Sequence, residues 1–207
     1  MRLELVMTPA AKRGLIALVL GVVVLLGVLA YDFRAFFPSG LLGEQVAPIS
    51  IGGEFTLTDQ NGVTRHPEDF RGKLLLVYFG YTFCPDACPT ALQDMSHAID
   101  LMGDKGKDVQ PIFITIDPAR DTVEQMKLYA SNFHPRLIAL TGTPEQVAEA
   151  AKAYRVYYEK GKSPGGDDYL MDHTAFIYLM GRDGKYLSHF PPGTTAEQMA
   201  AAIEKRL

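Results

Sequence analysis

The segment Leu74-Leu75-Leu76-Val77-Tyr78-Phe79 carries no charged side chain at any position. Successive residues of a strand face opposite sides of its sheet, so an unbroken apolar run predicts a strand covered on both faces. Covering both faces takes helices above and below, which commits the chain to a layered α/β architecture. The flanking pattern agrees. Thr90 to Met102 places Leu92, Met95, Ile99 and Met102 along one helical face. Pro111 to Ile116 reads as a second apolar strand, Asp121 to Phe133 as a helix and Leu137 to Leu140 as a short strand. Thr143, Pro144 and Gln146 supply the N-cap, first-turn proline and capping box of a helix ending near Tyr154. Ala175 to Met180 and Lys185 to Phe190 flank the turn Gly181-Arg182-Asp183-Gly184, and Thr195 with Gln198 caps a terminal helix. At the start of the domain, Phe55 to Thr58, the Asn61-Gly62 turn and Val63 to Arg65 predict a small hairpin.

This order of elements predicts an α/β sandwich around a mixed sheet, and a thioredoxin-like arrangement fits it. With 207 residues, 47% of them hydrophobic, the chain has material for one good-sized core and an appendage. The appendage runs from Gly14 to Ala30, uncharged and almost wholly apolar, with Lys12 and Arg13 before it and Asp32 and Arg34 after. A helix of that extent rises about 25 Å, at the short end of what crosses ~30 Å of hydrocarbon. Val28-Leu29-Ala30 resembles a signal-peptidase site, but the apolar stretch exceeds an ordinary signal core, so an uncleaved anchor is the preferred reading. Arg2, Lys12 and Arg13 place the short N-terminal tail in the cytoplasm and everything after Tyr31 outside it. Residues from about Phe33 to Pro48, punctuated by proline and glycine, read as a tether. A net charge of −4, with no basic block in the domain, argues against nucleic acid as a partner.

The only cysteines, Cys84 and Cys88, follow the apolar strand in Phe83-Cys84-Pro85-Asp86-Ala87-Cys88-Pro89. Outside the cytoplasm such a pair is a disulfide, a redox couple or a metal site. A disulfide here would close a loop of a few residues and gain little by chain entropy. The pair sits at the C-terminal end of a strand, where open α/β sheets place functional groups, and the following helix favours thiolates. His66, His97, His134 and His189 lie in settings that read as surface or capping positions. His173 is different, because it stands in the connection just before the strand at Ala175, where a thioredoxin-like fold faces the cysteine pair. A capping role for His173, with Asp172 beside it, is the competing reading. Two thiolates and an imidazole suit copper or zinc rather than calcium or magnesium. Structural zinc normally takes four protein ligands and there is no third cysteine, which tips the choice toward copper as Cu(I), Cu(II) or both. Met95 and Met102 read as core, not as thioether ligands.

Three motifs together resemble the Sco/SenC family of membrane-anchored copper proteins involved in cytochrome c oxidase assembly. They are Gly80-Tyr81-Thr82-Phe83-Cys84-Pro85-Asp86-Ala87-Cys88-Pro89, Thr115-Ile116-Asp117-Pro118-Ala119-Arg120-Asp121-Thr122 and Tyr169-Leu170-Met171-Asp172-His173. The resemblance implies a thioredoxin-like fold with an N-terminal transmembrane helix, and Cys84, Cys88 and His173 as metal ligands. It makes Asp172 a residue that orients His173 or adds charge beside it, and Asp86 one that faces an approaching partner. Asp117, Arg120 and Asp121 are expected to organise a loop and cap the next helix. Phe83 departs from members that carry histidine there, which alters redox tuning or partner contact rather than ligation.

The expected organisation is a cytoplasmic tail at 1–13, a transmembrane anchor at 14–31, a tether at 32–48 and a thioredoxin-like copper-binding domain at 49–207. It belongs to a bacterial inner membrane, with the domain in the periplasm or cell exterior. The expected function is that of a copper metallochaperone more than an enzyme. Its partners would be a periplasmic copper donor and the copper-bearing subunit of cytochrome c oxidase, whose dinuclear centre it would load. The alternative is a thiol-disulfide oxidoreductase reducing cysteines of that subunit or another envelope partner, with Cys84 and Cys88 as the redox-active pair. Peroxide reduction is a more distant third.

Overall fold

A computed structural model describes residues 9–36, 50–161 and 169–207. The chain divides into two compact units, Met1–Ile49 and Ser50–Leu207. In the first, helix α1 runs from Pro9 to Phe36, longer at both ends than the anchor expected at 14–31, so residues 32–36 of the expected tether are helical. The remainder of the tether and most of the expected cytoplasmic tail lie outside the described residues. The apolar side chains from Leu15 to Leu29 are exposed all round. Among the described residues no helix is long and apolar enough to cross a membrane.

The second unit is built on a seven-stranded sheet in the order β2-β1-β5-β4-β3-β8-β9. Its members are β1 (Leu57–Asp59), β2 (Thr64–Arg65), β3 (Leu74–Gly80), β4 (Val109–Thr115), β5 (Ile138–Thr141), β8 (Ile177–Met180) and β9 (Tyr186–Phe190). Strands β3, β4 and β5 are parallel, while β8, β9, β1 and β2 join antiparallel. Helices α2 (Ala87–Leu101), α3 (Val123–Ala130), α4 (Pro144–Ala153) and α5 (Ala196–Glu204) supply the layers. Both seven-residue strands β3 and β4 are buried along their whole length, as a strand covered on two faces must be. The mixed α/β sandwich expected from the order of elements is therefore the one observed.

The capping boxes at Thr143–Gln146 and Thr195–Gln198 form as expected, each threonine accepting from the glutamine N–H and each glutamine reaching back. Two local readings need correction. Helix α2 begins at Ala87 rather than near Thr90, which puts Cys88 inside its first turn. The N-cap of α3 is Thr122, which accepts from the Gln125 N–H, and not Asp121. Asp121 is instead buried beneath the cysteine loop.

One pair of strands lies outside the main sheet. Strands β6 (Tyr158–Lys160) and β7 (Met171–His173) form a two-stranded ribbon, with Tyr158 opposite His173. The segment read as a loop carrying His173 is thus a strand. Its three residues are too few for period-two alternation to reveal it.

The joint between β3 and α2 is tight. Gly80 ends β3, and a Cβ placed there would lie 2.7 Å from Cys88 Sγ and 3.0 Å from the Phe113 ring. Glycine is required because a backbone and a sulfur approach so closely. Gly80→Ala is expected to lower the unfolding free energy by about 1–3 kcal/mol through overpacking, read as a reduced denaturant midpoint. A midpoint unchanged from wild type would show that Cys88 is not held against β3.

Candidate metal centre

The cysteine loop is fixed from below before either thiol is considered. Asp121, fully buried, accepts the Thr82 backbone N–H at 3.1 Å and the Thr82 and Thr115 hydroxyls at 2.6 and 2.5 Å. The Thr141 hydroxyl in turn donates to the Asp121 carbonyl at 2.7 Å. One carboxylate therefore ties the loop after β3 to β4, and its own backbone to β5. Burial pushes the Asp121 carboxyl pKa up, against the lowering effect of its threonine donors.

Above this support the two thiols are free and unlike each other. Cys84 is half-buried in the loop, whereas Cys88 is fully buried. The first N–H groups of a helix have no partner within it, and that of Cys88 donates to Cys84 Sγ at 3.3 Å. Cys84 thus occupies the place of an N-terminal anion. The Cys88 thiol and the Cys88 and Asp86 backbone N–H groups hold its pKa down to about 5, with His173 adding to the effect and partial burial opposing it. Cys88 goes the other way, raised by the neighbouring Cys84 sulfur and by burial. The two shifts favour the thiolate at Cys84 and the thiol at Cys88.

His173 completes the group from the β7 side. Its Nε2 lies 3.8 Å from Cys88 Sγ, and its Nδ1 is 2.9 Å from the Thr174 carbonyl. A carbonyl only accepts, so in the neutral ring Nδ1 carries the hydrogen and Nε2 turns its lone pair toward the cysteines. The rings of Tyr78 and Tyr81 meet the imidazole edge-on at 6.2 Å each, and the Tyr78 hydroxyl donates to Cys88 Sγ at 3.7 Å. Burial keeps Tyr78 protonated.

The structure therefore brings Cys84, Cys88 and His173 to one place, and it does not bring the two aspartates there. Asp172 points to the opposite, exposed side of β7, across from Glu159, because strand side chains alternate. The Thr174 carbonyl takes the orienting role expected of it. Asp86 occupies the N-cap position of α2 without a capping bond. It is exposed, with the Thr90 hydroxyl 3.5 Å away, on a cleft of about 200 Å³ that Tyr78, Asp94 and Pro191 also line. The other histidines are engaged elsewhere: His66 with Thr56, His134 with Arg136 and Asp100, and His189 with Tyr186. His97 is exposed on α2. Among the described residues no group of three or more His, Cys, Asp and Glu is already drawn together tightly enough to hold a metal ion. Tyr78, Tyr81 and the Thr174 carbonyl were not singled out by sequence. Tyr78 shares a strand face with Gly80 by period two, which was the available signal.

The SCO1/SenC family model matches residues 43–207. The chain is 42% identical over 167 residues to the mitochondrial Protein SCO2 homolog of Bos taurus, covering 79% of this chain and 63% of that protein. It thus spans about three-fifths of that relative's length. The copper-bound structure of Bradyrhizobium japonicum ScoI superposes with a TM-score of 0.71 at 47% identity, covering 76% of this chain and all of ScoI. BsSco, a member of the Sco family of cytochrome c oxidase assembly proteins in which a disulfide switch was identified, matches with a TM-score of 0.61 at 26% identity. It covers 77% of this chain and 95% of BsSco. With a family model matched over residues 43–207 and solved relatives sharing the fold, the chain belongs to the SCO1/SenC family.

Proposed function

We propose that this chain is a membrane-anchored copper metallochaperone that accepts copper from a periplasmic donor and passes it to the dinuclear copper centre of cytochrome c oxidase during assembly. The observation that carries the reading is the approach of His173 Nε2 to Cys88 Sγ, beside a Cys84 thiolate, in a family member whose relative was solved with copper bound. Copper is cargo here, held by Cys84, Cys88 and His173. The donor set fits it, since two sulfurs and one imidazole are soft to borderline ligands. Bonds as long as those of zinc, roughly 2.3 Å to sulfur and 2.0 Å to nitrogen, would place the two atoms about 3.5–3.7 Å apart on one ion. The observed 3.8 Å leaves a small closure. The Cys88 thiol must give up its proton on loading, so binding releases protons and weakens as pH falls.

The anchor belongs to the same proposal. Helix α1 is apolar on every side along its described middle, with Val24 65% and Leu29 56% exposed. A helix apolar all round is buried in protein or lipid, and the basic residues before it orient it with the domain outside the cytoplasm. The setting is a bacterial inner membrane, with a tail at 1–13, an anchor at 14–31, a tether at 32–48 and the domain from 49 onward.

A second reading rests on the contrast between the thiols. A half-buried, acidic thiol beside a fully buried one whose pKa is raised is the arrangement of an attacking and a resolving cysteine, and BsSco has a disulfide switch. Thiol-disulfide exchange with the oxidase subunit or another envelope protein would use Cys84 as nucleophile and Cys88 as resolver.

Titrating the full chain in detergent micelles with Cu(I) against a competing chelator is expected to give one equivalent bound. His173→Ala is expected to bind at least about tenfold more weakly, a loss of roughly 1.4 kcal/mol. Equal affinity in the two proteins would remove His173 from the site and with it this reading. Alkylation of the metal-free chain is expected to modify Cys84 with a midpoint near pH 5, leaving Cys88 untouched until denaturant is added. Because the folded pKa lies below the ordinary 9.0, the linked stability is complete above that value and fades as pH falls toward 5. Cys84→Ser should flatten this part of the stability profile, and a Cys84 midpoint near 9 would contradict the assignment.

A further inference from the structure

The motif Asp117 to Thr122 contributes no metal ligand, yet one of its side chains touches both halves of the site. The Arg120 guanidinium lies 3.7 Å from the centre of the Tyr169 ring, 4.7 Å from that of Phe83 and 5.8 Å from that of Tyr81. Phe83 and Tyr81 belong to the cysteine loop, while Tyr169 leads into β7 and His173. Asp117 locks the group, since its carboxylate accepts from Arg120 Nε and from the Tyr169 hydroxyl at 2.8 Å. Lys160 on β6 sits 3.6 Å from the centre of the same Tyr169 ring, and two cations at such distances must take opposite faces. A continuous stack therefore runs Lys160, Tyr169, Arg120, Phe83, from the β6–β7 ribbon to the cysteine loop.

The ribbon needs such an attachment. Among the described residues neither of its strands pairs with the seven-stranded sheet, and a short two-stranded ribbon is barely stable by itself. A guanidinium is suited to the task because its flat face stacks on aromatic rings as an ammonium does not. Among the described residues Arg120 Nη2 is buried without a hydrogen-bond acceptor, so on that edge the rings are its company.

We propose that Arg120 is a positioning residue: by stacking between Phe83 and Tyr169 it holds the His173 ribbon at the cysteine loop and so sets how well the imidazole reaches a metal on the thiolates. The metal part rests on the copper reading above; the clamp itself does not. Hydrogen exchange on the metal-free full chain tests the clamp at the Gly161 and Thr174 amides, which close the ribbon onto Leu170 and Tyr157. Arg120→Gln is expected to speed exchange there by about tenfold or more while β3 and β4 amides keep wild-type rates. Arg120→Lys should behave like the glutamine variant, because it keeps charge and loses the flat stack. Wild-type exchange in the ribbon, equal acceleration across the sheet, or full rescue by lysine would each overturn the proposal. If Arg120→Gln does not fold, Tyr169→Leu removes the stack from the other side and leaves the Asp117–Arg120 pair in place.

A double-mutant cycle separates the metal part from the copper reading. Arg120→Gln is expected to weaken Cu(I) binding by about tenfold in the wild-type background and to change it less than twofold when His173 is already alanine. Equal losses in both backgrounds would show that Arg120 does not act through His173. Equal copper binding by wild type and His173→Ala would sink the copper reading, while the exchange rates still decide the clamp.

Discussion

The hydrogen bond from the Cys88 N–H to Cys84 Sγ organises everything else at this site. It exists because α2 starts at Ala87, so a donor that no helical carbonyl can reach points into the cysteine loop. The three residues between the cysteines are what allow this, one thiol lying ahead of the helix and the other within its first turn. The start of α2 is in turn held by packing, since Cys88 sits against Gly80 with no room for a further atom. The positions of both sulfurs thus derive from β3, which is buried along its whole length.

That geometry makes the cysteines unequal without any metal. Cys84 gains the helix N-terminus and stays accessible, while Cys88 is covered by the sheet and donates to its neighbour. Copper delivery and thiol exchange both need a ready thiolate, and both need its partner to surrender a proton late. The two proposed activities therefore draw on one electrostatic arrangement and part company only at His173, which exchange does not require. Fixing Nδ1 on the Thr174 carbonyl determines which nitrogen faces the thiols, and a purely redox pair gains nothing from that.

What could be read in the sequence was what neighbouring residues decide among themselves. The capping boxes at Thr143 and Thr195, the Asn61-Gly62 turn and the apolar strand β3 all depend on contacts within a few positions, and each stands where expected. The convergence of Cys84, Cys88 and His173 was legible through fold order. Asp121 was misread because a carboxylate just ahead of a helix looks like a cap; its actual donors, Thr82 and Thr115, come from other segments. Asp172 was misread because the ribbon was invisible. Once β7 is a strand, alternation turns Asp172 away from the face that His173 presents to the cysteines.

The three proposed ligands are also mounted on different parts of the fold. Cys84 and Cys88 stand on the joint of β3 and α2, braced by Asp121, whereas His173 stands on a three-residue strand outside the main sheet. A protein that must keep its metal would gain from three rigid mounts, because each ordered ligand raises affinity. One that must hand the metal on benefits from a ligand that withdraws before the others, lowering the barrier to exchange while two sulfurs still retain the ion. Local stability follows the number of buried and hydrogen-bonded contacts, so the proposed withdrawal would start at the β6–β7 ribbon, which pairs with no strand of the main sheet. On the proposed reading, the side chains that fasten it, from Lys160 through Tyr169 and Arg120 to Phe83, stand between a site that holds and a site that lets go.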